Sequence, residues 1–562
     1  MNNKDIVWIL IIIAAIVSII YAYISQRRAA RIKLHKRLKK SYGKKANKKT
    51  SLDELEQITH FYKNRASGEC VDDISWNDLD MDRVFHALNN TNSSIGQEYL
   101  YKMIRETDKS EEELKKINDY ANSFDEDEDS RFKIQKIFAF IGYAKHMAVS
   151  DYVDMIVELK PKSNIANYLS PILLIASLVV LLAINPSIGI LLVIVAMIFC
   201  VVTYYRFKAD VERYFVCINQ IVKMIKASKD IVNLDLDFLA DSNARLKELS
   251  KAFSKIYNNS AMLETGNVTG SISEIVLDYL RMLTHIDLIK FNNMVKLLNN
   301  KEQEIYELMD VLGFIESTIA IASFRKSLPY YSVPEFVEGD ISINLEEAYH
   351  PLIDNPVVNS ISENGNVLLT GSNASGKSTF LKTVAINAIL SQTINTSLSK
   401  SYKAPKFRIY SSMALRDDLE ANNSYYIVEI KSIKRIFDSL DDNKKPLLIF
   451  IDEVLKGTNT VERVAASTQI LSSLGKSKAF VFAATHDVEL TTLLEKEYEN
   501  YHFRENVTDD EVLFDYKLHK GPATTRNAIK LLSVLGFDKE IVDKSNERAA
   551  YFLENASWKV EI

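Results

Sequence analysis

Cysteine, proline and glycine are scarce in this chain, at 3, 10 and 16 of its 562 residues. Cys70, Cys200 and Cys217 share no paired spacing, which excludes a disulfide framework and a cysteine zinc site. Neither zinc nor haem is expected, and reduced thiols facing the cytosol are the simplest reading. So little Gly and Pro, beside abundant Leu, Ile, Lys and Glu, predicts a chain that is largely helical outside one α/β region. The net charge of −5 gives the whole chain no nucleic-acid footprint. The length suggests about three or four structural units.

Two segments carry chemistry. Gly371, Ser372, Asn373, Ala374, Ser375, Gly376, Lys377, Ser378 and Thr379 follow the apolar run Val367-Leu368-Leu369 and fit G-x-x-x-x-G-K-S/T. In such a P-loop, backbone N–H groups surround nucleotide phosphates at a helix N-terminus, and glycine lets the backbone come close. Lys377 is expected to reach the β- and γ-phosphates, and the Ser378 hydroxyl to hold Mg²⁺. Downstream, the run Leu447-Leu448-Ile449-Phe450-Ile451 ends in Asp452 and Glu453. It reads as a buried parallel strand that delivers two carboxylates to the same edge. Asp452 is expected to support the metal, and Glu453 to orient or deprotonate the attacking water. The pair of segments predicts ATP hydrolysis with ATP and Mg²⁺ as cofactors.

Two regions are strongly apolar. Residues 6–24 carry no charge and are long enough to cross a bilayer as a helix. A signal-peptide core is the other reading, but the charged n-region is weak and there is no A-x-A-like site after it. Residues 26–49 are instead rich in Arg and Lys and free of Asp and Glu, which suits an uncleaved anchor with its basic flank in the cytoplasm. The basic run also suits an anionic inner leaflet; a nucleic-acid arm is its other reading. Residues 168–204 are apolar except at Asn185-Pro186-Ser187, which divides them into two segments of roughly seventeen residues. Lys160, Lys162, Arg206, Lys208 and Arg213 flank both ends, predicting a hairpin that crosses the bilayer twice. The alternative is a long hairpin buried in a soluble bundle.

The expected order is a transmembrane helix over 1–25, a basic juxtamembrane segment over 26–50 and a helical region over 51–165. A transmembrane hairpin over 166–206, long helices over 207–335 and an ATPase domain over 336–562 complete it. Amphipathic spacing of Leu52, Leu55, Ile58 and Phe61 predicts a helix within 51–80, and long helices are expected over 244–257 and 272–298. From about 336 strands and helices alternate. The localisation expected is the cell membrane, multi-pass with about three spans, the N-terminus outside and the ATPase domain cytoplasmic.

Further residues resemble one family. Ser424, Tyr426 and Glu429 look like the MutS family's version of the ABC signature, S-T/Y-F-x-x-E, with Tyr426 at the Phe position. Asp452, Glu453, Gly457, Thr458 and Thr460 resemble its D-E-x-x-x-G-T-x-T element, and Ala484-Thr485-His486 its A-T-H switch. His350-Pro351 looks like its pre-ATPase strand, residues 308–336 like the end of its lever helices and 84–96 like the start of that lever domain. The likeness is specific over roughly 336–550 and looser over 79–330. The expected fold is thus an α/β P-loop ABC-type ATPase domain at the C-terminal end, an all-α lever/core domain and transmembrane helices.

The resemblance implies a homodimer in which each ATP lies between one subunit's P-loop and Ser424 of the other, with His486 sensing the γ-phosphate in cis. An ordinary helix cap for Ser424 and a packed core histidine for His486 are the plainer readings. It also implies DNA, mismatched or branched, as a partner. The sequence departs from the family in several places. Asn422-Asn423 and Leu455-Lys456 stand where Gly-Arg pairs are usual, and Arg526 and Ala528 replace Ser and Gly of the closing element. No mismatch-reading module is expected ahead of the lever, and a hydrophobic hairpin sits within it. A protein or membrane partner for the same engine is therefore the alternative. An ABC exporter half is a weaker one, because three spans are few for a translocation path. Residues 527–535 and 538–554 are expected to form a dimer-supporting helical pair.

Overall fold

The computed structural model describes residues 3–46, 50–144, 147–259, 272–372, 375–413, 425–441, 444–456, 458–507, 512–523, 528–534, 536–555 and 557–558. The chain divides into two compact units, each gathered from several stretches. Met1–Ala66, Leu88–Lys102 and Asn118–Ser327 form one; Ser67–Ala87, Met103–Ile117 and Leu328–Ile562 form the other.

The first unit is helical. One helix, Asn3–Ser41, runs without a break from the N-terminal apolar segment through most of the basic one. The helix Leu52–Arg65 starts with a capping box: Glu54 N–H donates to Ser51 Oγ at 3.2 Å, and Ser51 N–H to Glu54 Oε2 at 3.1 Å. Ile58 and Phe61 face its core, whereas Leu52 is exposed.

The second apolar region is a helical hairpin: Ile165–Val179, a π turn Val180–Ile184, and Pro186–Val232. Asn185 Oδ1 accepts from the N–H groups of Ser187 and Ile188 at 3.0 and 3.2 Å. Pro186 takes the first helical turn, where its missing N–H costs no bond. The second arm is far longer than the expected seventeen residues, at 47. Its first half is apolar and exposed, while Cys217, Ile218, Ile221, Ile225 and Ile231 of its second half are buried in the unit's core. Only 17% and 22% of the two most apolar windows are buried, which does not suit a hairpin enclosed in a soluble bundle. Both arms are long and apolar enough to cross a membrane.

Two expected helices are interrupted. Residues 244–257 fall in two helices, Ala240–Ala252 and Ser254–Asn259. The stretch 272–298 is split into Ile272–Thr284 and Ile286–Leu298 at His285, whose φ is 52°. The buried His285 ring bonds the carbonyl of Cys200 through Nε2 at 3.0 Å, a tertiary contact that outweighs the local helical pattern.

The second unit holds the strands. A six-stranded sheet has the order β10-β9-β4-β8-β7-β6. Its members are β4 (Asn366–Thr370), β6 (Arg408–Ser412), β7 (Leu447–Asp452), β8 (Ala479–Ala484), β9 (Tyr498–Val507) and β10 (Val512–Lys520). All pair in parallel except β10, which runs antiparallel to β9. A smaller sheet, β1-β5-β2-β3, comprises β1 (Glu335–Phe336), β2 (Ile343–Ala348), β3 (Asn359–Glu363) and β5 (Ser401–Ala404). Every residue of β4 and β8 is buried, the pattern of central parallel strands covered on both faces. Phe450 and Phe482 stack across β7 and β8 with centroids 5.5 Å apart. The C-terminal helices Ala528–Val534 and Lys539–Asn555 occupy the expected stretches.

A single boundary near residue 336 does not describe this unit, because Ser67–Ala87 and Met103–Ile117 belong to it. Specific polar contacts hold these stretches: Ser411 Oγ donates to Asp78 Oδ2 at 2.7 Å, Arg435 Nη1 to Asp72 at 2.6 Å, and Asn395 to the Leu114 carbonyl at 3.1 Å. Hydrophobic periodicity carries no sign of such bonds.

Candidate functional site

Register brings the site together. In the central sheet Leu369 pairs with Ala484, and Ala484 with Asp452, so β4, β7 and β8 end at one edge. Thr485 N–H bonds the Leu369 carbonyl and Glu453 N–H the Ala484 carbonyl, both at 2.9 Å, which carries the alignment one residue further. The segment after β4, the carboxylates after β7 and His486 after β8 therefore emerge side by side. This is the edge where open α/β sheets bind ligands.

After β4 the chain turns through Gly371 (φ 142°) and Gly376 (φ 110°), both in a region that L side chains rarely adopt. A Cβ on Gly371 would lie 3.1 Å from the Phe503 carbonyl oxygen. Gly376 caps the helix Lys377–Ile394, so the free N–H groups of that helix open into the loop. Lys377 Nζ donates to the carbonyls of Gly371 and Ser372, each at 2.8 Å. Burial pulls its pKa down to about 8, against the opposing influence of Asp452, Glu453 and Glu505. Ser378 and Thr379 are exposed on the first turn, and Ser378 Oγ donates to Asp452 Oδ2. Burial raises the Asp452 carboxyl, although the Ser378 bond acts the other way. Ser375 Oγ is buried without a hydrogen-bond partner among the described residues. Asn373 and Ala374 lie outside the described residues.

Glu453 has a φ of 60°, and its carboxylate is gripped from two sides. His486 Nε2 lies 2.8 Å from Oε1 and Lys456 Nζ 2.8 Å from Oε2. The His486 bond first, with Lys456 adding to it, holds the carboxyl at about pKa 2. His486 is seated by its own loop: Asp487 N–H bonds Thr485 Oγ1 at 3.0 Å, and Arg463 clasps Asp487 with two bonds of 2.9 and 2.6 Å. Glu429 accepts the Lys456 N–H at 3.2 Å, while its other oxygen is buried with no partner among the described residues. Thr458 lies 3.4 Å from Glu462 on the helix Thr460–Gly475. Ser424 and Gly457 fall outside the described residues.

The residues suit a polyphosphate with a hard divalent cation. The donor set beside the loop is a hydroxyl and a carboxylate, the type Mg²⁺ takes when substrate phosphates and water complete its shell. Buried Ser375 Oγ, the N–H groups of the helix start and the Lys377 ammonium together offer donors to an anion. No local motif marks Glu505, Lys456 or Tyr516 as neighbours of this loop. Glu505 accepts a hydrogen bond from Ser372 Oγ, and the Tyr516 ring would touch a Cβ on Gly376 at 3.3 Å. Glu505 comes from β9, which pairs with β4, and Tyr516 from β10, the next strand out, so sheet order sets both.

Residues 367–553 match the family model described as MutS domain V. The chain is similar to MutS protein homolog 4 of Mus musculus, 28% identical over 314 residues that cover 53% of this chain and 32% of the relative. The human MutS protein homolog 4 is 30% identical over 262 residues, 43% of this chain and 27% of the relative. The DNA mismatch repair protein MutS of Thermus aquaticus is 31% identical over 180 residues, 32% and 22% of the two chains. The chain thus spans about a third or less of the length of these relatives. On these matches, residues 367–553 are similar to MutS domain V, and the chain's likeness to MutS proteins is carried by that part.

Proposed function

We propose that this protein is a membrane-held MutS-type ATP hydrolase whose catalytic site is completed by a second copy. The observation that carries the reading is the convergence of Lys377, the Ser378–Asp452 pair and the His486–Glu453 pair on one sheet edge. Backbone N–H groups of 371–379, with Lys377, bind the triphosphate, and Ser378 and Asp452 would hold Mg²⁺. When bound, Mg²⁺ neutralises charge on the β- and γ-phosphates. Glu453, a carboxylate that His486 first and Lys456 next keep ionised, orients the attacking water by accepting its hydrogen bond. His486 keeps Glu453 in place and faces the γ-phosphate. Ser424 of the second copy supplies a further donor to the transferring group on closure.

Mixing variants tests the shared site. Lys377→Ala and Ser424→Ala are each expected to be inactive alone. Their mixture regains part of the turnover, because a mixed dimer has one intact Lys377 facing one intact Ser424. No recovery on mixing, with dimers present, contradicts the trans arrangement.

The exposed apolar hairpin supports a lipid bilayer as the seat of the protein, with the basic second half of the helix Asn3–Ser41, from residue 26 onward, on the cytoplasmic side. Relatives named for DNA mismatch repair support DNA as the ligand moved by the engine. The hairpin supports the second reading, in which the same engine acts on a membrane or protein partner.

A further inference from the structure

We propose that Glu505 is a positioning residue that sets the preference of the phosphate loop between ATP and ADP, by fixing a negative charge beside the seat of the γ-phosphate. The inference rests on the ATP reading above. The Lys377 ammonium marks that seat: in a loop of this type it reaches the β- and γ-phosphates, and here it rests on the carbonyls of Gly371 and Ser372 at 2.8 Å. The side chain of that same Ser372 donates its hydroxyl proton to Glu505 Oε2. Glu505 is therefore one hydrogen bond from the residue that holds the lysine head.

The carboxylate cannot readily withdraw. Its strand pairs with β4 through Leu369–Tyr501 and Thr370–His502, and Thr370 Oγ1 lies 3.3 Å from the Tyr501 carbonyl. The Phe503 carbonyl also lies against Gly371. Glu505 is 8% exposed, and among the described residues it enters no ion pair. Asp452 and Glu453 also act on Lys377, but one has a hydroxyl partner suited to a metal and the other two cationic partners. Glu505 has no cationic partner among the described residues, and its hydroxyl partner, Ser372, belongs to the loop itself, so its charge falls on the loop and on whatever binds there. Charges interact strongly in a site with little water, and ATP brings one more charged phosphate to this end than ADP does. Glu505 thus weakens ATP more than ADP, which favours emptying and refilling of the site over tight retention of ATP.

The test is equilibrium binding of Mg-ATPγS and Mg-ADP to the full-length chain in detergent. Wild type, Glu505→Gln and Glu505→Asp are compared, with thermal melting as a check on folding. Glu505→Gln keeps the shape and the Ser372 bond, and is expected to tighten ATPγS about tenfold while ADP changes about twofold or less. Glu505→Asp, which keeps the charge, stays near the wild-type ratio. A Glu505→Gln variant with an unchanged ratio, or with both nucleotides weakened together, overturns the inference and leaves the ATP reading standing. A folded wild-type chain that binds neither nucleotide overturns both.

Discussion

His486 and Glu453 are joined by a 2.8 Å hydrogen bond between Nε2 and Oε1, across the edge where β7 and β8 end side by side. The two residues lie 33 positions apart in sequence, and the bond exists because Asp452 and Ala484 share a register position. In the proposed reaction it couples the residue assigned to the γ-phosphate to the residue assigned to the water.

Acid should expose that coupling. A carboxyl depressed from 4.5 to about 2 contributes stability that is fully present above pH 4.5 and lost as pH falls towards 2. His486→Ala removes the largest cause of the depression. The stability gap between wild type and His486→Ala, measured by urea unfolding, should therefore be widest above pH 4.5 and shrink as pH falls towards 2. A gap that grows on acidification contradicts the assignment.

Lys377 should take up a proton when nucleotide binds. Burial holds its pKa at about 8, and bound phosphates would restore the charged form. Titration calorimetry at pH 8.5 in buffers of different ionisation enthalpy should report uptake of about three quarters of a proton, with affinity falling as pH rises further. Lys377→Met should abolish the buffer dependence along with most of the binding.

Arg463 and Asp487 seat the loop that carries His486 through two charge-assisted bonds. Asp487→Asn keeps one acceptor and loses the charge. It is expected to cost about 1–2 kcal/mol of stability. Turnover should fall about tenfold with KM changed little, since the loop faces the reacting group rather than the whole nucleotide. Steady-state kinetics alongside thermal melting separates the two effects.

The hairpin's exposed faces should meet lipid. Ile175 and Leu191 are each 62% exposed. Arginine at Ile175, near the middle of a span, is expected to cost about 2.5–3.5 kcal/mol of insertion free energy, and arginine at Leu191, nearer the hairpin tip, somewhat less. Flotation with liposomes should show the wild-type chain rising with the vesicles and the Ile175→Arg, Leu191→Arg double variant remaining largely below. Equal flotation contradicts a hairpin in the bilayer.

DNA binding, the output suggested by the relatives, should appear first at low salt because phosphate contacts release counterions. Homoduplex, mismatched and branched DNA should each bind the chain lacking residues 1–50 at low ionic strength, with a linear fall of log affinity against log salt. No binding of any of them at low salt favours the membrane or protein partner.

The parts of this molecule legible in the sequence are those written locally. An apolar run before Gly371 and another before Asp452 mark strands, and Asn185-Pro186-Ser187 marks the hairpin tip because Asn at the cap and Pro in the first turn favour a helix start. What escaped depends on distant chain. Glu505 reaches the loop because β9 lies beside β4, Lys456 meets Glu453 through a turn with positive φ at Glu453 and Leu455, and His285 breaks a helix for a bond to Cys200. Neither spacing nor periodicity carries that information. Ser67–Ala87 joins the sheet-bearing unit through single polar bonds such as Arg435 to Asp72, again with no local signature.

The most direct test of ATP hydrolysis at this site is phosphate release by the full-length chain and by Glu453→Gln, with Mg-ATP binding measured on the same samples. Wild type should turn over ATP, and Glu453→Gln should bind it but release phosphate at least about a hundredfold more slowly, accumulating as an ATP-bound dimer. Phosphate release by Glu453→Gln at the wild-type rate contradicts the account.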